Sequence, residues 1–479
     1  MPSQPLSRRH FLQRSAAMSV GFAGLQQVLA DGGSPLLDRT RSGYGPLIEQ
    51  PGALISLPDG FHSHVVSAAG ETMNDGLLVP GKHDGMGAFS GPDGVTILIR
   101  NHEISPGHST IGPFDSGGAG IEAIDARRIY DAGDPAVPGA APSRGGTTTL
   151  VYDTRARTEQ GRLLHHAMSL SGTEHNCAGG ITPHSTWISC EESVVGPGDE
   201  LGRSRRHGYC FEIPATTTPT LVEPNPIVPM GRFNHEAVAV DPHSGIVYMT
   251  EDRNDGIIYR YIPDVRDRLL EGGRLQALAV ADAPSRDLRN WPSETVAPVP
   301  AGSTFQTRWI DLQDVDSDDD SLRYQGFDRG AARFARGEGM WYGNDGIYFA
   351  CTTGGSNQRG QIWKYTPAAV GAEASGPASE TGGRLELFVE PNDATVIEHA
   401  DNLTVAPWGD LIVCEDGLAD QYLLGVTPEG SIYKLARNQA NQSEFAGAVF
   451  SPDGSTLFVN IQNPGMTLAI TGPWNRRIG

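Results

Sequence analysis

Side chains of metal-binding type recur in this chain at one position of a repeated pattern. Cys177, Glu236, Glu338 and Asp401 each lie six residues before a turn that begins at Pro or Asn. Carboxylate oxygens suit Ca²⁺, which takes about six to eight such ligands. One thiolate among them favours a softer ion, iron or zinc. The pattern therefore predicts a metal site with both a hard and a softer component.

A second acidic set lies at the end of the strand that follows the turn. Its members are Glu103, Glu191-Glu192, Glu251-Asp252 and Glu415-Asp416. Carboxylates gathered in one place repel one another and raise each other's pKa unless cations neutralise them. The recurrence favours a shared cation site over acids that merely cap strand ends.

The repeat itself consists of a short apolar strand, a tight turn and a second apolar strand. Six segments follow this plan: Met86–Glu103, Cys177–Glu192, Glu236–Asp252, Glu338–Gly354, Asp401–Asp416 and Ala446–Asn463. Six such hairpins predict an all-β fold, a six-bladed β-propeller, which leaves only short and protected sheet edges. An irregular sandwich is the alternative. Equivalent points of the innermost strands of a propeller converge on its central channel, so the recurring ligand types should face one another.

Composition limits the domain organisation and the partners. The chain has 479 residues, 60 Gly, 34 Pro and a net charge of −21. We predict one propeller domain over residues 31–479, with inserted loops near 105–145 and 265–330. The acidic charge argues against nucleic acid as a partner. The chain has no long apolar stretch after the N-terminus, which predicts no membrane span. We expect a monomer.

The pattern of the first thirty residues indicates an export signal. Ser7-Arg8-Arg9-His10-Phe11-Leu12 precedes a short apolar stretch, and Ala30 closes a plausible cleavage site. We predict a twin-arginine signal peptide over residues 1–30, recognised by the twin-arginine export machinery, and hence a periplasmic or secreted protein. The five cysteines lack a C-x-x-C spacing, so neither a dense disulfide framework nor a zinc ribbon is indicated.

Two further residues could hold an anion beside the metals. Arg336 stands two residues before Glu338, so an extended strand would place both side chains on one side. Its planar fork suits a phosphate or a carboxylate, although it could simply balance the acids. Asn101, in the sequence Asn101-His102-Glu103, offers a neutral donor at a strand end.

Several motifs together resemble the PhoX alkaline phosphatase family along nearly the whole mature length. They are Asn101-His102-Glu103, Ser171-Gly172-Thr173, Asn176-Cys177-Ala178-Gly179-Gly180, Thr182-Pro183 with Trp187, Cys190-Glu191-Glu192, His235-Glu236-Ala237, Arg336-Gly337-Glu338 and Asp401-Asn402-Leu403. The resemblance implies a six-bladed propeller whose cluster of Fe³⁺ and Ca²⁺ hydrolyses small phosphomonoesters.

The resemblance also implies roles for individual residues. Cys177 would bind iron, and Asn101 and Arg336 would hold the phosphate as catalytic residues. Glu192, Glu236, Glu338 and an acid near Asp401 or Glu415 would share the iron and calcium ions. With the acidic register, the predicted metal ligands are Cys177, Glu191, Glu192, Glu236, Glu338, Asp401 and Glu415.

Two other functions fit the acidic channel. One is a calcium-dependent propeller lactonase or similar hydrolase, which needs neither Cys177 nor Arg336. The other is a non-catalytic propeller that binds a partner and holds calcium only for stability. The metal content and the reaction catalysed discriminate among the three.

Overall fold

A computed structural model describes residues 43–105, 110–114, 120–121, 124–156, 158, 162–368 and 382–477. The predicted export signal, residues 1–30, lies outside these residues. Among the described residues, no helix is long and apolar enough to cross a membrane. The described part contains 25 strands and one short α-helix, Leu322–Asp328.

The strands follow one another along the chain as successive antiparallel groups. The first two are β1 (Ile55–Ser56) and β2 (His62–Ala68). The first blade contains β3 (His83–Ser90), β4 (Thr96–His102), β5 (Gly145–Tyr152) and β6 (Leu163–Thr173). The second contains β7 (Asn176–Ile181), β8 (Thr186–Glu191) and β9 (Cys210–Pro214). The third contains β10 (His235–Val240), β11 (Val247–Glu251), β12 (Tyr259–Pro263) and β13 (Gly273–Val280), and β14 (Thr304–Asp311) follows it.

Three further blades complete the molecule. The fourth contains β15 (Gly337–Tyr342), β16 (Ile347–Cys351), β17 (Gln361–Thr366) and β18 (Arg384–Val389). The fifth contains β19 (Ala400–Val405), β20 (Leu411–Glu415), β21 (Tyr422–Val426) and β22 (Ile432–Asn438), with β1 at its edge. The sixth contains β23 (Phe445–Phe450), β24 (Thr456–Ile461) and β25 (Met466–Thr471), with β2 at its edge. The N-terminal strands thus pair with the last two blades and close the ring.

The inner strands β3, β7, β10, β15, β19 and β23 contact one another in that order, and β23 contacts β3. The all-β propeller predicted from the repeat is therefore confirmed. Hydrogen bonding divides the strands into five sheets, because β14 pairs with both β13 and β18 and joins the third and fourth blades into one nine-stranded sheet. The segment 265–330, predicted as an insertion, carries β13, β14 and the helix.

The blades pack face to face, which explains why their strands are buried on both faces rather than on one. Every residue of β4 is buried. Between the third and fourth blades, Tyr248, Phe349 and Trp363 belong to one apolar cluster. This packing holds the inner strands, and with them the channel, in a fixed arrangement.

Candidate metal centre

All six inner strands carry a β-bulge at the same place, close to their first residue. The register of β7 against β8, for example, shifts between Asn176 and Gly179, and that of β10 against β11 between His235 and Val238. The first residues within the six shifts are Asp84, Cys177, Glu236, Glu338, Asp401 and Gly447. A bulge bends the strand and re-aims one side chain. Five of these six residues therefore present side chains of metal-binding type at equivalent positions of the ring, and the sixth is glycine.

Ligand atoms of these and neighbouring side chains form four overlapping groups, in each of which all atoms lie within 4.8 Å of one another. The groups are Glu103–His175–Glu192, Cys177–Glu192–Glu236, Glu236–Glu338–Asp401 and Asp401–Asp416–Glu444. Because each group shares a residue with another, they form one continuous set of nine side chains, which we call the channel cluster. Cys177, Glu192, Glu236, Glu338 and Asp401, predicted from the sequence as ligands, all belong to it.

Glu191 and Glu415, also predicted as ligands, are not brought into the channel cluster. The carboxylate of Glu191 accepts hydrogen bonds from Nδ1 of His207 at 2.7 Å and from the backbone N–H of Gly208 at 2.9 Å. That of Glu415 accepts from the N–H of Glu398 at 2.7 Å. The reason is that successive side chains of an extended strand point to opposite sides, so only the second acid of each pair faces the channel.

The same division holds in the third blade, where Glu251 accepts a hydrogen bond from the Tyr259 hydroxyl at 3.0 Å and Asp252 bonds Arg336. We therefore distinguish two rows of acids. The channel row contains Glu192, Asp252 and Asp416. The blade row contains Glu191, Glu251 and Glu415, all of them buried.

Asn101, predicted to hold a phosphate, is directed at the backbone of a bulge. Its Nδ2 donates to the carbonyl oxygens of Cys177 at 3.1 Å and Ala178 at 2.6 Å, and its Oδ1 accepts from Trp187 Nε1 at 2.9 Å. The side chain is fully buried and both of its polar atoms have protein partners. Asn101 therefore contacts the backbone of the bulge that carries Cys177, and its predicted role in holding phosphate stays a prediction.

Arg336 lies at the edge of the channel cluster. Its Nε and Nη2 donate to the two carboxylate oxygens of Asp252 at 2.9 and 3.0 Å, and Nη2 also donates to Glu338 at 2.6 Å. The side chain is 30% exposed. The attraction of Glu338 and Asp252 raises the pKa of the guanidinium, so the group remains charged.

The backbone at Arg336 differs from the extended conformation expected from the sequence. Its φ is 51°, in the left-handed region, and β15 begins only at the next residue. His175 precedes β7 with a φ of 49°. Such values cost a residue other than Gly of order 1 kcal/mol and are found at functional sites. The shared turn directs both side chains towards the strand-end acids.

The sequence reasoning missed Asp84, His175 and Glu444. Counting from the turn assigned Met86 to the first blade, but the first hairpin is two residues longer on its inner strand, so the bulge begins at Asp84. His175 stands two residues before Cys177, as Arg336 stands before Glu338, whereas Glu444 stands three residues before Gly447. The offset shared with Arg336 is the signal that could have found His175.

His175 bridges two of the acids. Its Nε2 lies 3.0 Å from Glu103 and its Nδ1 lies 3.1 Å from Glu192. Burial alone would lower the pKa of His175, but these two carboxylates raise it well above its usual value.

Burial and neighbouring carboxylates raise the pKa of six acids in the channel cluster, which are Glu192, Glu236, Glu338, Asp401, Asp416 and Glu444. The pKa of Glu192 and that of Asp401 rise to about 7, first through burial and then through neighbouring carboxylates such as Asp252 and Asp416. Burial, and after it neighbouring carboxylates, also raise the pKa of Glu236 and that of Glu338 well above the usual value. Burial also raises the pKa of the Cys177 thiol. So many desolvated acids with few cationic partners fit a site for several metal cations, with one sulfur ligand among oxygens.

The far ends of β7, β10 and β15 differ in character from the ends that carry the bulges. There an apolar cavity of about 140 Å³ is lined by residues that include Ile181, Val240 and Trp341. In these three strands the channel cluster and the apolar cavity therefore lie at opposite ends.

Comparison with known proteins agrees with this arrangement. Residues 42–465 match the family described as alkaline phosphatase PhoX. This match spans most of the sequence, and the chain belongs to that family of metal-dependent phosphatases.

Among solved structures, the chain is similar to Pseudomonas fluorescens PhoX in complex with vanadate, a transition state analogue. The identity is 17%, the TM-score 0.64, and the match covers 90% of this chain and 98% of that one. Staphylococcus aureus virginiamycin B lyase also matches, with 12% identity, a TM-score of 0.35, and coverage of 86% of this chain and 99% of that one. A search of curated protein sequences found no match.

Proposed function

We propose that this protein is an exported phosphomonoesterase that hydrolyses small phosphate esters at a cluster of iron and calcium ions. The convergence of a buried thiol with carboxylates from separate blades, beside an arginine, carries this proposal. A single sulfur within an otherwise oxygen-rich set is the donor combination expected of one softer ion among hard ones. Membership of the alkaline phosphatase PhoX family and the likeness to a vanadate-bound relative support it.

The donor types distinguish two sets of ligands within the channel cluster. Cys177, Glu192 and Glu236 combine sulfur with oxygen and would hold iron. The groups around Asp401 offer only carboxylate oxygens and would hold calcium. When bound, such cations neutralise the charge on a phosphoryl group and activate water at neutral pH.

Arg336 would add a positively charged hydrogen-bond donor beside the metal ions. Asp252 holds its Nε and Nη2 in one orientation, and Nη1 has no hydrogen-bond partner in the described part of the chain. Nη1 is therefore free to donate to a phosphate oxygen. A donor aligned in advance stabilises charge that develops in the transition state without reorganising. In this proposal Asn101 acts indirectly, because it fixes the carbonyl groups of Cys177 and Ala178.

Elemental analysis beside hydrolysis of p-nitrophenyl phosphate tests this proposal. Iron and calcium in the purified protein together with turnover are the expected result. Calcium alone with cleavage of a lactone would instead identify a lactonase, and calcium without turnover of either substrate would identify a binding propeller. Both of these outcomes would overturn the phosphatase assignment.

The proposal includes export by the twin-arginine machinery to the periplasm or the exterior, and a monomeric state. The argument for export is the sequence Ser7-Arg8-Arg9-His10-Phe11-Leu12. Replacing Arg8 and Arg9 by lysine should retain active protein inside the cell, whereas unchanged export would contradict the assignment. Sedimentation of the mature protein tests the oligomeric state.

A further inference from the structure

Cys190 and Cys210 lie directly opposite each other on β8 and β9. The next pair along the ladder is joined by a hydrogen bond from the N–H of Glu191 to the carbonyl of Tyr209, at 3.0 Å. Hydrogen-bonded and non-hydrogen-bonded pairs alternate in an antiparallel ladder, so the two cysteines form a non-hydrogen-bonded pair. Such pairs have Cα atoms about 4.5 Å apart, within the range of about 4.4 to 6.8 Å that a disulfide accepts.

The two sulfur atoms are already in contact. Their Sγ atoms are 3.7 Å apart, and both residues are fully buried. Sγ of Cys210 also lies 3.3 Å from Nδ1 of His235, whose other ring nitrogen lies 2.9 Å from the carbonyl of Gly231. The backbone register, and not a long side-chain movement, therefore brings the two thiols together.

We propose that Cys190 and Cys210 close to a disulfide in the mature protein. A sulfur–sulfur bond forms as the two S–H bonds break. The two electrons and two protons pass to a disulfide of the surrounding medium, such as oxidised glutathione, which becomes two thiols. This pair is the only contact between cysteine sulfurs among the described residues, which include all five cysteines.

The bridge would lie directly behind the metal centre. The carbonyl oxygen of Cys190 is 3.9 Å from Sγ of Cys177, and β8 ends at Glu191, next to Glu192. A bond between β8 and β9 would restrain the strand that immediately precedes Glu192. It also removes two thiols of the same buried cluster from exchange with Cys177, which leaves that thiol for metal.

Counting free thiols in the full mature protein tests the disulfide. The protein is first exposed to oxidised glutathione. It is then unfolded in excess iodoacetamide, with and without prior reduction, and the number of labels is measured by mass spectrometry. We expect three labels without reduction and five after it, since the chain has five cysteines. Peptide mapping should recover Cys190 joined to Cys210.

Two matched variants control the count. The double variant Cys351→Ser with Cys414→Ser should take one label before reduction and three after it. The double variant Cys190→Ser with Cys210→Ser should take three labels in both conditions. A reductant should lower the melting temperature of the wild type but not of the second variant.

Five labels without reduction, in protein both treated natively and refolded in oxidised glutathione, would overturn the proposal. A bridge that includes Cys177 would overturn it as well. The count on the wild type needs no variant to fold, so the test holds even if a cysteine double variant proves insoluble.

Discussion

The channel row and the blade row of acids are neighbours in sequence but belong to different chemical environments. Glu191 ends β8 and accepts hydrogen bonds from a histidine and from backbone N–H groups, whereas Glu192 faces Glu103, His175 and Cys177. The first arrangement supplies its own donors and needs no metal. The second places carboxylates against one another and needs cations. Acidic residues therefore act here as structural anchors or as ligands according to the side of the strand on which they lie.

Removing cations should act only through the channel row, and of all the changes considered it should have the largest effect on activity and stability. Incubation with a calcium chelator should abolish phosphatase turnover and lower the melting temperature together, because a ligand that binds only the folded state stabilises it. Turnover and melting before treatment, after it and after return of calcium measure this. Full activity in dialysed, chelator-treated protein would contradict the calcium assignment.

Exchanging the two neighbours separates the rows directly. Glu192→Gln removes a proposed ligand and should lower kcat/KM at least about 100-fold, beyond the loss usual for an outer partner. Metal content should fall with it, as measured by elemental analysis.

The control is Glu191→Gln, which breaks a buried contact with His207. It should lower the free energy of unfolding by about 3–5 kcal/mol and leave the metal content of the folded protein near that of the wild type. Loss of metal at unchanged stability would show that the two rows are not distinct.

Arg336 tests whether a charge beside the channel row acts on substrate or only balances acids. Arg336→Ala should lower kcat/KM by roughly 10²–10³ while metal content stays near that of the wild type. Arg336→Lys should restore part of the rate, because an ammonium cannot reproduce the planar fork. An unchanged rate per bound cluster, with altered metal content, would instead assign Arg336 to charge balance.

Substitution of Asn101 tests whether its hydrogen bonds to the bulge contribute to metal binding. Asn101→Ala should weaken metal binding by about 10–100-fold, the loss typical of a partner that orients a ligand. Trp187→Phe removes the hydrogen bond to Oδ1 and part of a buried ring but leaves both Nδ2 contacts in place, so it should weaken metal binding less. If Asn101→Ala raises KM for substrate without changing metal affinity, the residue contacts phosphate after all.

The smallest expected effect is on the pH dependence of stability, through the contact between the blade row and His207. Burial opposes the charged form of His207, but Glu191 and Asp131 raise its pKa to about 9. Its folded pKa lies above the unfolded value of about 6.5, so its stabilisation is complete below that pH and is lost as pH rises through 9. The stability gap between wild type and His207→Gln should therefore narrow from pH 6 to pH 10 in denaturant unfolding. A constant gap would contradict a charged imidazole.

Much of the architecture was predictable because each hairpin is local. A strand, a turn and a second strand are predicted from residues close together in the chain, and six such hairpins favour closure into a ring. The ligand types at Cys177, Glu236, Glu338 and Asp401 were found in the same way. Asp84 was not, since its hairpin arm is longer and a count from the turn misses the bulge.

The sequence by itself determined the fold class, the acidic register and the family resemblance, all of which depend on local patterns. The tertiary structure decided which acid of each pair enters the channel, that Asn101 supports Cys177, and that Cys190 faces Cys210. The physical reason is that strand alternation places the two acids of a pair on opposite sides but does not say which side faces the channel. That choice, the bulges and the residue opposite each cysteine depend on how the strands pair and pack, which no local spacing records.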